Sequence, residues 1–289
     1  MILVTGASGN VGSMVLATVR ESGRPVTAMY RSESETRPAP FGVRTVIADF
    51  ADKDSLRQAF DNIESLFLVC SPAPQLVEFE SSAIEVAKEA GVRHLVLNSA
   101  AGAGQWNKSF PKWHAEVERV LAASGLGYSI VRPNSFMQNI TAFFARTIQA
   151  QDAFYSSMGD SRVSLVDIQD IADVVTALLV SGSPENQAYE LNGPEALTYS
   201  EVAARISRVC GRSARYVDIP MAEQKKAMLS AGMPEWQAQA LLDLQEYYLQ
   251  GNGGELNDDI QRVAGHAPRS LDAFLSANAS AFSKRAATA

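Results

Sequence analysis

Cysteine and histidine are scarce in this chain of 289 residues, which holds two of the first and three of the second. Cys70 and Cys210 stand far apart and outside any metal-ligand spacing, so we expect two reduced, buried thiols. Asp167, Asp170 and Asp173 recur at three-residue steps, but no histidine or cysteine accompanies them, and acids are favoured at a helix start. The sequence therefore predicts no metal site.

Long apolar runs and an excess of basic residues are also missing. No run reaches the length that a membrane span needs, and the N-terminus is typical of a core strand rather than a signal peptide. The 25 Lys and Arg residues against 32 Asp and Glu residues give a net charge of −7. This charge argues against nucleic acid and acidic membrane surfaces as partners. We expect a cytoplasmic monomer or homodimer that binds a small molecule.

The first half of the chain alternates short apolar runs with helical periods, as in a parallel sheet with right-handed crossovers. The predicted strands are residues 2–5, 26–30, 44–48, 66–70, 95–97 and 128–131. The predicted helices among them are residues 52–60, 75–90 and 112–124. The fold class expected from this pattern is α/β, with the doubly wound, dinucleotide-binding sheet called the Rossmann fold.

The second half lacks this regular alternation of strands and helices and is mostly helical from Met221 onward. Helices are expected near 138–149 and 170–180, strands at 163–166, 189–191 and 216–219, and a capping box at Thr198 and Glu201. We expect the Rossmann domain to comprise residues 1–151 with about 163–182. A smaller substrate-binding lobe, residues 152–162 and 183–289, is expected over the carboxyl ends of the strands.

A glycine turn directly follows the first strand and opens the first helix. Three glycines at three-residue spacing, Gly6, Gly9 and Gly12, provide a tight turn, close backbone approach and close helix–strand packing. The N–H groups and dipole of the helix start favour a phosphate, so we expect a dinucleotide pyrophosphate here. The pyrophosphate-binding residues expected from this turn are Gly6, Ser8, Gly9, Asn10 and Val11.

Polar residues after the next strands predict the rest of a cofactor site. Arg31 ends the second strand where an NAD-preferring enzyme usually places an acid, which favours the 2′-phosphate of NADP and hence NADPH over NADH. Asp49 and Phe50 end the third strand, and they either contact the adenine or start the next helical turn. Further candidates are Ser71, Pro72 and Ser99 for the nicotinamide end and Trp106 and Phe136 for an aromatic substrate.

Residues 110–114 correspond to a motif of a known enzyme superfamily. The sequence resembles the short-chain dehydrogenase/reductase superfamily in its extended form, which usually carries Tyr-x-x-x-Lys on the helix after the fifth strand. Phe110 and His114 stand in these two places, so the usual proton donor is missing. We expect His114 to hold the nicotinamide ribose hydroxyls, with proton donation as its alternative, catalytic role and core packing as a third reading.

Other stretches resemble the NmrA-like family of atypical short-chain dehydrogenases over nearly the whole chain. They are residues 5–12, 114–121, 132–134, 136–139, 166–172 and 268–271. Pro133 and Asn134, within these stretches, join the expected cofactor-binding residues. The family includes type 2 NAD(P)H:quinone oxidoreductases, triphenylmethane dye reductases, and redox-sensing regulators that bind a dinucleotide without turnover. Plant relatives reduce phenylpropanoids with a lysine at the place of His114, which argues against that chemistry here.

The resemblance implies an NADPH-dependent reductase that passes hydride to a quinone-like or other conjugated small molecule. Such an acceptor forms a stabilised anion that water can protonate, so no strong protein acid is required. One alternative is a non-catalytic NADP-binding sensor that acts through a partner protein. Another is a carbonyl reductase that uses His114 or an ordered water as its acid.

Overall fold

The computed structural model describes residues 1–35 and 42–283 of the chain. The backbone divides into two compact units. The first unit consists of Met1–Pro133, Ile168–Leu191 and Asp259–His266. The second unit consists of Asn134–Asp167, Asn192–Asp258 and Ala267–Ala289.

A parallel sheet forms the centre of the first unit. Its strands within residues 1–35 and 42–283 are β1 (Ile2–Val4), β2 (Val26–Tyr30), β3 (Val43–Ile47), β4 (Ser65–Leu68), β5 (His94–Asn98), β6 (Gly127–Pro133) and β8 (Gln187–Leu191). They lie in the order β3-β2-β1-β4-β5-β6-β8, with every neighbouring pair parallel. The order reverses between β1 and β4, which is the point where such sheets bind ligands. The predicted doubly wound fold is confirmed.

Helices connect these strands and cover the sheet. They are α1 (Asn10–Glu21), α2 (Lys53–Ala59), α3 (Leu76–Glu89), α4 (Ser109–Ser124), α6 (Ile168–Ser181) and α10 (Asp259–Ala264). Asp52 caps α2 by accepting hydrogen bonds from the backbone N–H groups of Asp54 and Ser55. At the other end of the sheet, α4 stops at Gly125, whose φ of +82° suits glycine.

Strand β4 shows why a central strand of this sheet is almost entirely apolar. Leu66, Phe67 and Leu68 are each 0% exposed, because helices cover both faces of a parallel sheet. Leu66 and Leu68 belong to one core cluster with Ile84 of α3 and Leu121 of α4. Full burial of each such side chain contributes roughly 1.5–3 kcal/mol. The packed strands hold a rigid edge from which the loops of the candidate site emerge.

The second unit is largely helical in its described part. Its helices are α5 (Ala145–Gln151), α7 (Tyr199–Cys210), α8 (Met221–Ser230), α9 (Glu235–Leu249) and α11 (Leu271–Ala277). A π-helical turn, Ile140–Phe144, precedes α5. The predicted capping box of α7 is confirmed, since Thr198 and Glu201 exchange side-chain-to-backbone hydrogen bonds. Among the described residues, no helix has both the length and the apolar character to cross a membrane.

The predicted strand at residues 163–166 is wrong. Val163 pairs only with Leu197 in an isolated antiparallel bridge, and Val166 only with Phe136 in an isolated parallel one. Because the two partners lie on different segments and run in opposite directions, no ladder extends along this run. The unit instead pairs β7 (Ala153–Ser156), which the sequence did not predict, with β9 (Arg215–Asp218).

Candidate functional site

The turn between β1 and α1 lies at the switch point of the sheet. Gly6 has a φ of +56°, and a Cβ there would lie 2.9 Å from the carbonyl oxygen of Val69. Gly9 donates its backbone N–H to the carbonyl of Gly6 at 2.9 Å and stands at the N-cap of α1. The first N–H groups of α1 thus start from a compact turn without a bulky side chain, an arrangement suited to an anion.

Gly12 brings the helix backbone against this turn. A Cβ on Gly12 would lie 2.1 Å from the carbonyl oxygen of Gly6 and 2.9 Å from that of Thr5. No real side chain fits at such distances, so α1 can approach the turn only with glycine here. The tight turn and the close helix packing expected from the sequence are therefore matched by the geometry of the turn, while close approach to a ligand stays a prediction.

Thr5 ties the glycine turn to the end of β4. Its buried hydroxyl is a donor, and its oxygen lies 3.1 Å from the Phe67 carbonyl oxygen and 3.0 Å from the Val69 carbonyl oxygen. The same oxygen accepts the backbone N–H of Val69 at 2.9 Å. One hydroxyl therefore bonds to backbone groups at the end of β4 and holds the two sides of the switch point together.

Arg31 follows β2, and its guanidinium faces a carboxylate that the sequence analysis did not single out. Arg31 donates to Glu35 Oε1 at 2.7 Å. Ser8 of the glycine turn donates to Glu35 Oε2 at 3.4 Å. Glu35 lies in a short 3₁₀ turn, Glu33–Glu35, four residues after Arg31. An Arg and a Glu at this spacing are a recognisable pairing signal, although their link to Ser8 depends on the fold.

Asp49 and Phe50 follow β3, at the same edge of the sheet. The Asp49 carboxylate accepts the backbone N–H of Ala51 at 2.9 Å, which closes a local turn. Phe50 is half-buried and packs against the core under α2. Asp52, not Asp49, is the residue that caps α2.

Ser71 and Pro72 are exposed after β4, beside two groups that burial keeps neutral. Glu80 Oε1 accepts the backbone N–H of Cys70 at 3.1 Å, while Glu80 Oε2 has no partner among the described residues. Burial raises the pKa of Glu80 to about 8 and that of the Cys70 thiol to about 12. Cys70 and Cys210 are free thiols, but each is half-buried rather than buried.

Ser99, after β5, belongs to a hydrogen-bonded chain of charged groups. Its hydroxyl donates to Glu118 Oε1 at 2.6 Å. Arg132 donates to both oxygens of Glu118, at 2.8 Å and 2.5 Å, and to Glu190 at 2.9 Å. The hydrogen bond to Glu118 is the main cause that raises the pKa of Arg132. The Ser99 proton is thus engaged by a carboxylate, which leaves this hydroxyl as an acceptor.

The sequence analysis missed the roles of Glu118, Arg132 and Glu190. These three residues come from α4, β6 and β8, which are far apart along the chain, so no spacing rule brings them together. The available signal was a charged residue, Arg132, directly after the apolar residues Ile130 and Val131 of β6. A charge in a central strand requires a partner.

His114 is buried on α4, one turn before Glu118. Burial lowers the pKa of His114 to about 4, although Glu118 opposes this effect. The ring is therefore neutral near pH 7, and its Nδ1 has no partner within the described part of the chain. Phe110, in the place of the usual tyrosine, packs edge-on against Trp113 at 5.4 Å between ring centroids.

Trp106 lies in the loop before α4 and is half-buried, with the Lys108 ammonium 5.7 Å from its ring centroid. It lines a surface pocket of about 220 Å³ together with Lys112, Glu116 and Arg119. Lys112 and Arg119 are exposed on α4, whereas His114 is buried. The structure therefore places Trp106 beside the solvent-facing side of α4.

Asn134 and Phe136 lie in the second unit. The buried Asn134 amide donates to Ser164 at 2.9 Å, to Asn192 at 3.0 Å and to the Gly253 carbonyl at 2.9 Å. Its oxygen accepts the backbone N–H of Ser135 and the hydroxyl of Tyr248. This side chain is engaged by partners of its own unit.

Phe136 is half-buried and forms the isolated bridge to Val166. Pro133 ends β6 of the first unit, and its carbonyl accepts the backbone N–H of Ala101 at 3.0 Å.

The acidic residues of α6 meet a histidine that the sequence analysis left out. Potential ligand atoms of Asp170, Asp173 and His266 lie within 4.8 Å of one another. His266 Nε2 pairs with Asp173 Oδ2 at 3.1 Å. Asp167 accepts a hydrogen bond from Gln138 in the second unit. A His–Asp hydrogen bond accounts for the contact between His266 and Asp173 without an ion.

Comparison with known proteins completes the description of this site. The model of the NmrA-like family matches residues 1–281. The chain belongs to the NmrA-like family. The resemblance noted in the glycine turn, in α4 and after β6 is thus confirmed across almost the whole sequence.

This NmrA-like protein has curated relatives of matching length. It is 34% identical over 288 residues to the NAD(P)H azoreductase of Xenophilus azovorans, covering 98% of this chain and 99% of that protein. It is 25% identical over 279 residues to quinone oxidoreductase 2 of Escherichia coli strain K12, covering 94% and 96%.

Solved structures agree with this family assignment. The NADPH-dependent quinone oxidoreductase of Escherichia coli, complexed with NADPH, has a TM-score of 0.88 at 25% identity, covering 96% of this chain and 99% of that one. The triphenylmethane reductase of Citrobacter sp., complexed with NADP(H), has a TM-score of 0.87 at 22% identity, covering 96% and 100%. The second similarity concerns the fold alone.

Proposed function

We propose that this NmrA-like protein is an NADPH-dependent reductase that delivers hydride to a quinone-like or other conjugated small molecule. The observation that carries the proposal is a phosphate-suited glycine turn in a chain that has Phe110 at the place of the usual tyrosine acid. Phe110 replaces the usual tyrosine, Ser99 donates to Glu118, and His114 is neutral. The relatives named azoreductase and quinone oxidoreductase support the same class of acceptor.

The cofactor site is assigned to the first unit. Backbone N–H groups after Gly6 would bind the pyrophosphate, and Arg31 would bind the 2′-phosphate. The remaining proposed contacts are Ser8, Gly9, Asn10, Val11, Asp49 and Phe50 on the adenosine side and Ser71, Pro72, Ser99, His114 and Pro133 on the nicotinamide side. We leave Asn134 out of this set, because its amide is satisfied within the second unit.

The chemistry needs positioning more than proton donation. When bound, NADPH supplies a hydride, that is, two electrons and one proton. A quinone that accepts this hydride needs one further proton, which water supplies because the anion formed is delocalised. Neutral His114 holds ribose hydroxyls through its ring nitrogens in this proposal, and Ser99 contributes acceptor lone pairs. Trp106 and Phe136 remain predicted acceptor contacts.

A substrate panel tests the proposal. NADPH oxidation is followed with quinones, azo dyes, triphenylmethane dyes and simple ketones, and each assay is repeated with NADH. We expect turnover with the conjugated acceptors and little or none with ketones. A ketone would form a localised alkoxide, so its reduction depends on a positioned general acid, and this chain has Phe110 at the place of the usual one.

The same panel separates the other two functions. NADP binding without turnover of any acceptor would support the dinucleotide sensor and contradict the reductase. Ketone reduction that disappears in the His114→Ala variant, while NADPH still binds, would support the carbonyl reductase instead.

A further inference from the structure

The Glu35 carboxylate lies between Arg31, the proposed 2′-phosphate contact, and Ser8 of the glycine turn. It accepts hydrogen bonds from Arg31 at 2.7 Å and from Ser8 at 3.4 Å. Its side chain is 28% exposed, whereas that of Arg31 is 70% exposed. Glu35 is thus held against the glycine turn, while the guanidinium can still be reached from solvent.

The two cofactors would interact with this arrangement differently. NADH carries a 2′-hydroxyl, which can donate a hydrogen bond to a carboxylate at this position. NADPH carries a 2′-phosphate, which needs the Arg31 donors and is repelled by a neighbouring carboxylate. A 2′-phosphate that binds the same Arg31 donor would displace the Glu35 carboxylate from it. This chain therefore combines an NADP-type arginine with an NAD-type acid.

We propose that Glu35 sets the cofactor preference of this protein by competing with the 2′-phosphate for Arg31 and Ser8. This inference rests on the proposed function only in that the first unit binds a nicotinamide dinucleotide. With Glu35 bonded to Arg31, the ribose of NADH is accepted directly. With Glu35 displaced, Arg31 binds the phosphate of NADPH. The protein accordingly uses both cofactors, and its preference for NADPH is weaker than Arg31 alone would give.

Calorimetric titration with NADP⁺ and NAD⁺ tests the inference without any turnover. Glu35→Gln removes the charge and keeps the shape of the side chain. We expect it to tighten NADP⁺ binding about tenfold, because the phosphate no longer displaces a charge-assisted pair. NAD⁺ binding is expected to weaken by about threefold, since an amide oxygen is a poorer acceptor than a carboxylate. The matched control is Glu33→Gln, which removes the same charge from the same 3₁₀ turn. We expect this control to change either Kd by less than about twofold.

A double-mutant cycle shows whether Glu35 acts through Arg31. In an Arg31→Ala background, the gain in NADP⁺ affinity from Glu35→Gln should fall to less than about twofold. An unchanged ratio of the two dissociation constants in Glu35→Gln, or the same shift in Glu33→Gln, would overturn the inference. Failure of the wild-type protein to bind either dinucleotide would instead overturn the proposed function.

Discussion

At the scale of single residues, the hydroxyl and carboxyl groups near the switch point are engaged by protein partners. Thr5 binds backbone groups of the loop after β4, and Ser99 donates to Glu118. Glu80 is buried and protonated, with one oxygen bonded to the Cys70 N–H. These contacts fix the loops from which the candidate cofactor contacts emerge.

Gly12→Ala tests the close approach of α1 to the glycine turn. The added Cβ would lie 2.1 Å from the Gly6 carbonyl oxygen, so the helix or the turn must move. We expect a loss of about 1–3 kcal/mol in unfolding free energy and at least tenfold weaker NADPH binding. Urea denaturation and calorimetry measure the two effects. Ser13→Ala, one position along the helix, is the control and should change stability by less than about 0.5 kcal/mol. A Gly12→Ala protein with unaltered stability and affinity would contradict the described packing.

His114→Gln tests the neutral state of the buried ring. Because burial lowers the pKa of His114 to about 4, the imidazole is uncharged throughout the pH range of an ordinary assay. We expect the variant to raise KM for NADPH while its pH–rate profile between about pH 5.5 and 8 parallels that of the wild type. If the ring instead served as a charged acid, the wild-type rate would follow a group that titrates near neutral pH. That group would disappear from the profile of the variant.

At the scale of elements, one charged network joins a helix to the edge of the sheet. Arg132 of β6 bridges Glu118 of α4 and Glu190 of β8. The Arg132 and Glu118 side chains are only 22% and 10% exposed, so each depends on the other for compensation. Glu118 also orients Ser99, and therefore the network fixes the loop after β5 relative to α4.

Arg132→Met tests the dependence of Glu118 on its partner. The variant leaves a nearly buried carboxylate without its cation, and we expect a loss of about 2–4 kcal/mol in unfolding free energy. The double variant Arg132→Met, Glu118→Leu removes both charges and should recover most of that loss. Urea denaturation near neutral pH measures both. If the double variant is less stable than Arg132→Met, the attraction between Arg132 and Glu118 itself stabilises the protein. The loss in Arg132→Met would then not be explained by an uncompensated Glu118 charge.

The sequence predicted elements best where one physical pattern dominates. Strands β1, β2 and β4 are buried along their whole length, so their apolar runs were recognisable, and Gly6 and Gly125 correctly indicated a turn and a helix end. The run at residues 163–166 has the composition of a strand, but its two ends pair with different segments. Only tertiary structure determines such partners, and the same holds for the short strand β7.

In the candidate site, too, local features could be predicted from the sequence and tertiary contacts could not. The roles of Gly6 and Gly12 could be predicted from their spacing. A Cβ on Gly12 would meet the backbone of Gly6, and a Cβ on Gly6 would meet the carbonyl of Val69 after the neighbouring strand. The contacts of Ser99 with Glu118 and of Ser8 with Glu35 join distant segments and carry no local signal. Asn134 differs from these residues. It lies in a stretch that resembles the family, but its amide donates to Ser164 and Gly253 of its own unit.

At the scale of the whole molecule, buried titratable groups set how stability depends on pH. Burial lowers the pKa of His94 and of His114 to about 4, so their contribution is full above about pH 6.5 and is lost as pH falls toward 4. Burial raises the pKa of Glu80 to about 8, so its contribution is present below about pH 4.5 and is lost as pH rises toward 8. Stability should therefore decline on both sides of a weakly acidic optimum.

Glu80→Gln isolates the alkaline side of this dependence. The variant cannot ionise, so its unfolding free energy relative to wild type should increase between about pH 5 and 8 by a few kcal/mol. Glu78→Gln, an exposed position on the same helix, is the control and should show no such trend. Denaturant titrations at several pH values supply the comparison. A Glu80→Gln difference that stays constant with pH would contradict a protonated, buried Glu80.

The central claim is that hydride passes from NADPH to a conjugated acceptor at the edge of the first unit without a strong protein acid. The most direct measurement is an anaerobic single turnover with a quinone and NADPH deuterated at the transferred position. We predict that one equivalent of hydroquinone forms per NADPH oxidised and that deuteration slows the step. His114→Gln should retain this isotope effect. NADPH that binds but is not oxidised would contradict the account. So would a turnover that shows no isotope effect and is lost in His114→Gln.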